Sequence, residues 1–156
     1  MIKLFVRGVA HDSSGTPMVV LMDESEQKLL PLWVGIVEIQ SIVLAMGDAG
    51  LDRPLGHDLF LNLCQQFKAN ISRVVIRDVF ENVFYASIMV ETEQDLYVID
   101  SRPSDAIVLA LKASAPIYIK KELEDNLLLV ADFLDEKARR ELDTNQYVPG
   151  LGKILH

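Results

Sequence analysis

The segment VIDSRPSDAIVLALKASAPIYI, residues 98–119, joins the end of an apolar run to a helix start and a second apolar run. Proline is favoured at the first position of a helix, and an acidic residue in the first turn complements the helix dipole. Pro103 and Asp105 therefore predict a helix over about residues 103–114, capped by Ser101 or Ser104. This helix is apolar on nearly all sides, which is typical of a helix packed between two layers. The following PIYI predicts a short strand.

The chain before this segment begins with strand patterns. Residues 2–10 alternate, with Ile2, Leu4 and Val6 on one face and Lys3, Phe5 and Arg7 on the other. The runs MVVLM and LLPLWV predict two further strands, separated by polar turns. Pro31 lies in the third run and cannot donate a ladder hydrogen bond, which indicates an edge or a bulge there.

Two helices are predicted after these strands. Helical spacing over GIVEIQSIVLAMGDAG gives an apolar stripe of Ile36, Ile39, Val43 and Met46, with Gly50 as a stop. A second helix is predicted from about residue 58 to residue 69.

The middle of the chain predicts an antiparallel meander. The runs ISRVVIRDVF, VFYASIMVE and LYVID are rich in β-branched and aromatic residues and are separated by short polar breaks. Together these elements predict an α+β fold, a single compact domain with a mixed, largely antiparallel sheet packed with a few helices. We expect the domain to span residues 1–122, followed by a C-terminal helical extension and tail over residues 123–156, in which Glu136 and Arg140 are spaced to form a pair.

Composition limits the function classes. The chain has 156 residues and a net charge of −8, which argues against loose electrostatic binding to nucleic acid or to an anionic membrane. Basic residues interleaved with aromatic ones are not found along the sequence. Half of the residues are hydrophobic, which favours burial of some surface in a homo-oligomer.

The residue content excludes several kinds of site and predicts where the protein is located in the cell. Cys64 is the only cysteine, so neither an intrachain disulfide nor a thiolate zinc cluster can form, and it is interpreted as a buried structural thiol. No apolar run reaches the roughly 20 residues that a membrane helix needs, and we expect a cytoplasmic protein. A glycine-rich phosphate loop and an HExxH motif are absent from the sequence.

Two Arg-Pro segments are the candidate functional motifs. The first, RPLGHD, places Arg53, His57 and Asp58 before a helix, and the second, RPSD, does the same with Arg102 and Asp105. In a structural interpretation, the carboxylates cap helix starts or pair with neighbouring arginines. In a functional interpretation, each helix start with its arginine is a site for phosphate or carboxylate. Spacing alone leaves both open.

The same residues suggest a metal-assisted site. Carboxylates together with an imidazole can hold magnesium or manganese, and a bound cation can activate water at a phosphate. We expect Asp58, Asp105 and His57 as the ligands, with Glu38, in the first turn of its helix, as a further carboxylate.

The ordered motifs LPLWVGIVEIQSI, RPLGHDL, VFYASI, IDSRPSDAIVLALK and PIYI resemble the bifunctional nuclease domain family, formerly a domain of unknown function. The resemblance covers roughly residues 1–122. Gly56 stands where the family usually has a small hydroxyl residue, and Lys112 where arginine is common. The resemblance implies a compact, self-associating α+β domain with nuclease activity on DNA and RNA and a divalent-metal requirement.

Three hypotheses follow. The first is a metal-assisted nuclease, in which Asp58 and Asp105 hold Mg²⁺ or Mn²⁺, His57 is a ligand or general base, and Arg53 and Arg102 bind phosphate. The second is a non-catalytic oligomeric binding or regulatory module, in which buried Arg–Asp pairs fix the helix starts. The third is an enzyme acting on a small anionic metabolite.

Overall fold

Eight strands form one mixed sheet in residues 1–47 and 53–136, the parts of the chain that the computed structural model describes. The strands are β1 (Ile2–His11), β2 (Pro17–Asp23), β3 (Lys28–Trp33), β4 (Asn70–Phe80), β5 (Val83–Glu91), β6 (Leu96–Ser101), β7 (Ile117–Ile119) and β8 (Leu128–Leu129). Their order across the sheet is β6-β5-β4-β7-β1-β2-β3-β8. The helices are α1 (Ile36–Met46), α2 (Gly56–Gln66) and α3 (Pro103–Ala113), followed by a 3₁₀ helix (Lys121–Asn126) and a helical segment over residues 130–136.

The predicted α+β fold and the β4-β5-β6 meander are confirmed. The strand after α3 makes the sheet mixed, since β7 pairs in parallel with β4 and antiparallel with β1. The chain leaves β6 at the sheet edge, crosses the sheet as α3 and returns as β7 in the middle. The segment 98–119 therefore connects the two halves of the sheet.

Helix α3 lies at the centre of the main core. It packs against β4 and β5 on one side and against α1 and α2 on the other. Ser104 and the residues from Ala106 to Ala110 are buried, as a helix apolar on nearly all sides requires. The covering layer predicted for this helix is thus supplied within the chain.

A second, smaller core lies on the opposite face of the sheet. It contains Ala10, Met18, Val20, Met22 and Leu29, against which Val130 and Phe133 pack. Strand β8 also pairs with Lys28 and Leu29 of β3. Residues 128–133 therefore contribute to the sheet and its packing, while the division of the chain at residue 122 stays a prediction.

Helix α1 buries a different face from the predicted one. Ile42 is fully buried, and Ile39 and Ala45 pack partly against the core, whereas Ile36, Val43 and Met46 are exposed. The predicted stripe was wrong except for Ile39. The apolar residues lie almost all around this helix, so spacing alone did not define one buried face.

One local prediction is wrong, one is decided between its two alternatives, and two rest on residues that the structure does not describe. The N-cap of α3 is Arg102, and neither Ser101 nor Ser104 provides a side-chain cap, because the Ser101 hydroxyl donates to the Arg102 carbonyl. Pro31 is paired with Val20 in regular register, beyond the two β3 residues that β8 reaches, which agrees with an edge and not with a bulge. The predicted stop at Gly50 and the Glu136–Arg140 pair rest on residues outside the described ranges.

Within residues 1–47 and 53–136, no helix is long and apolar enough to cross a membrane.

Candidate functional site at three helix starts

The first turns of the three helices each carry an acidic residue. These residues are Glu38 in α1, Asp58 in α2 and Asp105 in α3. Because α1 and α2 both pack on α3, side chains from the three first turns can come within contact distance. The two Arg-Pro motifs, whose proximity the sequence left open, therefore meet in the fold.

A chain of four polar side chains connects the three helix starts. His57 Nε2 lies 3.0 Å from Asp105 Oδ1, and Arg102 Nε donates to Asp105 Oδ2 at 2.7 Å. Arg102 Nη1 donates to Glu38 Oε1 at 2.9 Å. Asp105 is thus held from both sides, and Arg102 bridges α1 and α3.

The ionisation of Asp105 follows from these contacts. Burial acts to raise the pKa of Asp105, but hydrogen bonds from Arg102 and His57 outweigh it, so the pKa lies below its ordinary value. The same pairing with Asp105, supported by Glu38, raises the pKa of Arg102. In a neutral imidazole, donation from His57 Nε2 to the ionised Asp105 leaves Nδ1 as the acceptor atom.

Asp58 forms a separate pair with the last turn of α3. Its Oδ1 accepts from Lys112 Nζ at 2.7 Å, and its Oδ2 accepts from the Leu55 backbone N–H at 2.9 Å. The hydrogen bond from Lys112 is the main reason why the pKa of Asp58 is lowered, and the Leu55 N–H adds to it. Asp58 therefore caps α2 and ties it to the last turn of α3.

Gly35 leaves space for the Glu38 carboxylate. A Cβ built on Gly35 would overlap Glu38 Oε2, so the carboxylate folds back over the residue that precedes α1. Any larger residue would push Glu38 away from its contact with Arg102. The glycine of the Trp-Val-Gly motif therefore has a positioning role.

Two arginines that precede helices have donors without partners in the described residues, Arg102 at the junction and Arg53 before α2. The Arg102 side chain is 64% exposed, and its Nη2 makes no hydrogen bond within residues 1–47 and 53–136. Arg53, exposed before α2, has no hydrogen-bond or ion-pair partner in the described part of the chain. Guanidinium groups with free N–H donors beside helix N-termini are suited to binding phosphate.

A divalent metal does not fit this arrangement. Both oxygens of Asp105 and both oxygens of Asp58 already accept hydrogen bonds, two of them from cationic Arg102 and Lys112 side chains. Among the residues that the structure describes, no group of three or more His, Cys, Asp or Glu side chains is placed to hold a metal ion. Mg²⁺ and Mn²⁺ require oxygen ligands that are free to coordinate. The metal at His57, Asp58 and Asp105 stays a prediction that requires these contacts to rearrange.

Most of the predicted residues are brought together, but their partners were not foreseen. The structure joins His57, Asp105, Arg102 and Glu38, and it separates Asp58 from them in a pair with Lys112. The sequence motifs assigned Lys112 no partner and indicated only that the family commonly has arginine at this position. Its position in the last turn of a helix, nine residues after Pro103, gave no indication that it would face the start of α2.

Comparisons with known proteins agree with the family resemblance that the sequence motifs indicate. The bifunctional nuclease domain model matches residues 19–130, a range that contains all three helix starts. The chain is 32% identical over 123 residues to the uncharacterized protein MT1877 of Mycobacterium tuberculosis (strain CDC 1551 / Oshkosh), which covers 78% of this chain and 73% of that protein. The same values hold for the uncharacterized protein Rv1829 of Mycobacterium tuberculosis (strain ATCC 25618 / H37Rv). The chain belongs to the bifunctional nuclease domain family.

Proposed function

We propose that this protein is a nuclease that cleaves phosphodiester bonds of DNA or RNA at the junction of the three helix starts. The observation that carries the proposal is the contact of His57 with Asp105, whose other oxygen binds Arg102. A histidine oriented by a carboxylate is suited to proton transfer, and the adjacent guanidinium is suited to a phosphate.

His57 is the proposed acid–base residue. Its side chain is 23% exposed, so it is held in place but still reachable by a substrate hydroxyl or water. With Nε2 turned to Asp105, Nδ1 accepts the proton of the attacking hydroxyl or water as its oxygen bonds to phosphorus. The P–O bond to the leaving sugar oxygen breaks, and the imidazolium returns the proton to that oxygen. Asp105 orients the ring and is a positioning residue.

Arg102 and Arg53 are the proposed phosphate ligands. Arg102 is fixed by Asp105 and Glu38 through Nε and Nη1, which leaves Nη2 for a phosphate oxygen. Arg53, which precedes the N-terminus of α2, supplies a second positive charge at that end of the helix. Positive charge from two arginines and from helix dipoles stabilises the charge that develops on the phosphate during cleavage.

The experiment is cleavage of labelled DNA and RNA by purified protein in EDTA, Mg²⁺ or Mn²⁺. Wild type is compared with His57→Ala and Asp105→Asn, and with the matched controls His11→Ala and Glu93→Gln, which change an exposed histidine and an exposed glutamate elsewhere. Cleavage lost in the first two variants and kept in the controls supports the proposal. Equal cleavage in all five proteins identifies a contaminating nuclease and contradicts it. Activity in EDTA separates metal-free proton transfer from the metal-assisted reaction predicted from the sequence.

A non-catalytic oligomeric module is the second candidate, and one observation favours it. Helix α1 and the last residue of β3 expose large apolar side chains on the outside of the fold. These are Trp33, Ile36, Val37, Val43, Leu44 and Met46. A second copy of the chain is the partner we propose for this surface, in keeping with the homo-oligomer expected from composition. In this account the ion pairs at the helix starts serve stability alone.

A further inference from the structure

Strand β6 leaves one edge of the sheet open. It is the last strand in the sheet order, and β5 is its only strand neighbour within residues 1–47 and 53–136. Its register with β5 is regular over all six residues, without a bulge. The strand at the other edge, β8, has only two residues. The sheet is therefore protected at one edge by a very short strand, whereas its other edge is a strand of ordinary length.

The hydrogen-bond pattern shows which backbone groups of β6 face outward. The Thr92 N–H donates to the Asp95 carbonyl at 2.9 Å, so these two residues form a hydrogen-bonded pair of the β5-β6 hairpin. Hydrogen-bonded and non-hydrogen-bonded pairs alternate along an antiparallel ladder. In β6 the non-hydrogen-bonded positions are Leu96, Val98 and Asp100. Their N–H and C=O groups point away from β5 and lie along the open edge.

The side chains beside this edge are apolar on both faces of the sheet. Leu96 and Val98 are 48% and 63% exposed on one face. Tyr97 and Ile99 are 51% and 37% exposed on the other. Natural edge strands commonly carry lysine, proline or a bulge, which prevents pairing with another strand. Strand β6 has none of these, and Asp100 is its one charged residue. It therefore has the properties of a strand that pairs with a further strand.

The N-terminal end of β6 borders an acidic groove that contains two aromatic rings. The groove has a volume of about 500 Å³ and lies between the end of α2 and the turn that joins β5 to β6. Phe67 and Tyr97 line it together with Glu93 and Asp95, and Lys68 is the one cation in its described lining. Neither carboxylate has an ion-pair partner among the described residues. Rings beside carboxylates are suited to an ammonium or guanidinium group whose aliphatic stem packs on the rings.

The unbalanced charge at this edge lies in the groove. On the face of the sheet away from the three helices, Glu91 and Asp100 are matched in number by Arg73 and Arg77, and Arg77 is bound to Asp100. In the groove, two carboxylates are accompanied by one lysine. A strand that pairs antiparallel with β6 has its C-terminal end at this groove. A basic residue near that end therefore complements the charge.

A second copy of β6 fits this edge less well than a basic strand. Aligned antiparallel about Val98, it places Asp100 of one copy opposite Leu96 of the other, and its sequence LYVIDS supplies no cation. Arg102, which follows, is already bound in two ion pairs of its own copy. The charges and the apolar positions together indicate an occupant with a different sequence.

We propose that β6 binds an extended peptide segment of another protein, apolar in its middle and basic near its C-terminal end, which adds antiparallel to the sheet. Its backbone bonds to the outward N–H and C=O groups of β6, and its apolar side chains cover those exposed on both faces. Its basic side chain enters the groove beside Phe67 and Tyr97. Its N-terminal end lies near Arg102, so the partner is brought next to the helix starts. The proposal is independent of cleavage, because strand addition requires no turnover.

The test is a selection of displayed random peptides of about twelve residues, roughly twice the length of β6, on the full chain. The library is first depleted on Val98→Pro, which removes one outward N–H at a position where an edge strand tolerates proline. Val98→Thr keeps this N–H and is the matched control. Fluorescence anisotropy then gives the Kd of the most enriched labelled peptide for each protein, and circular dichroism checks the folds.

A second pair of variants tests the groove. Glu93→Gln and Asp95→Asn are combined in one protein, which removes both carboxylates of the lining. Asp132→Asn and Asp135→Asn are combined in the control, which removes two exposed aspartates of the segment 130–136. Both are measured with the same peptide at low and high salt.

We expect the enriched peptides to share alternating apolar residues followed by lysine or arginine. Val98→Pro should raise Kd about tenfold or more, because a donor is lost and a peptide carbonyl stays unpaired. Val98→Thr should stay within about twofold. The groove variant should raise Kd about threefold or more at low salt and less at high salt, whereas its control should stay near wild type.

Three outcomes overturn the proposal. The first is no enrichment after depletion, or equal affinity of the enriched peptide for the wild type and Val98→Pro. The second is a set of enriched peptides that is acidic, or equal losses in the groove variant and its control. The third is association of the wild type, measured by light scattering, that Val98→Pro abolishes, since a second copy then occupies the edge. Val98→Lys, which places a charge on the edge, replaces Val98→Pro if that variant fails to fold.

Discussion

His57 Nε2 lies 3.0 Å from Asp105 Oδ1, although 48 residues separate the two in the sequence. The contact joins the first turns of α2 and α3, and Arg102 extends it to Glu38 in the first turn of α1. Glu38 and Asp105 lie in first turns, where backbone N–H groups and the helix dipole favour negative charge, and Arg102 is the N-cap of α3. The junction therefore brings together a histidine, two carboxylates and an exposed guanidinium.

Asp105→Asn and His57→Ala should each lower the cleavage rate about 100-fold or more, the range that proton transfer by a positioned side chain contributes. In Asp105→Asn, the amide can no longer accept from His57 as a charged group, and the orientation of the ring is lost. Single-turnover cleavage of labelled RNA and DNA measures the effect, and circular dichroism checks the fold. A rate within about twofold of wild type in both variants would remove the pair from the reaction.

Arg102→Ala separates the catalytic from the structural account. Because the Arg102 side chain is 64% exposed, its two ion pairs should contribute only about 1 kcal/mol or less to the free energy of unfolding. Cleavage should nevertheless fall strongly, since a phosphate ligand is lost. Urea denaturation and the cleavage assay are measured on the same preparation. A loss of stability of about 3 kcal/mol or more with cleavage unchanged would instead favour the module in which these pairs are structural.

Gly35→Ala should displace the Glu38 carboxylate, because the added Cβ overlaps Oε2. The displaced atoms are at the end of a flexible side chain, so the free energy of unfolding should change by less than about 1 kcal/mol. Arg102 then loses one of its two anchors, and substrate affinity at the helix starts should weaken. Glu38→Gln in the same assay is the comparison, as it keeps the shape of the side chain and removes its charge. Wild-type affinity in both variants would show that Glu38 does not position Arg102.

The Asp58–Lys112 pair should make stability depend on pH in the acid range. The pKa of Asp58 is lowered in the folded protein from an ordinary value of 3.8, so the pair stabilises the fold above about pH 4 and is lost as pH falls through the lowered pKa. Asp58→Asn should cost about 1–2 kcal/mol at neutral pH, with the difference from wild type shrinking below pH 4. Urea denaturation over a pH series measures this, with Glu93→Gln as the control. A pH-independent difference would mean that Asp58 acts through something other than its charge.

Val37→Glu tests the exposed apolar surface of α1. Val37 is 72% exposed in the single chain, so a glutamate there should leave the fold intact. If a second copy covers this surface, the buried charge should shift the protein to the monomer at concentrations where the wild type associates. Light scattering coupled to gel filtration measures the mass, with Gln66→Glu on α2 as the control. A wild-type monomer, or association unchanged in Val37→Glu, would contradict an interface at α1.

The sequence by itself determined the elements and most of the candidate residues. Alternation, β-branched runs and the Pro103 helix start depend on local geometry, so strands β1 to β7 and helix α3 were predicted to within a few residues. The two-residue strand β8 was not predicted. The ordered motifs also identified the family. His57, Asp105, Arg102 and Glu38 were all selected because acidic and basic residues at helix starts have a local physical meaning.

Only the tertiary structure decided which of these residues meet. Packing of α2 on α3 brings His57 into contact with Asp105 and pairs Asp58 with Lys112. Spacing along the chain cannot predict these pairs, because the two helices are far apart in sequence. The buried side of α1 was also set by its neighbours, since apolar residues lie on nearly every side of that helix.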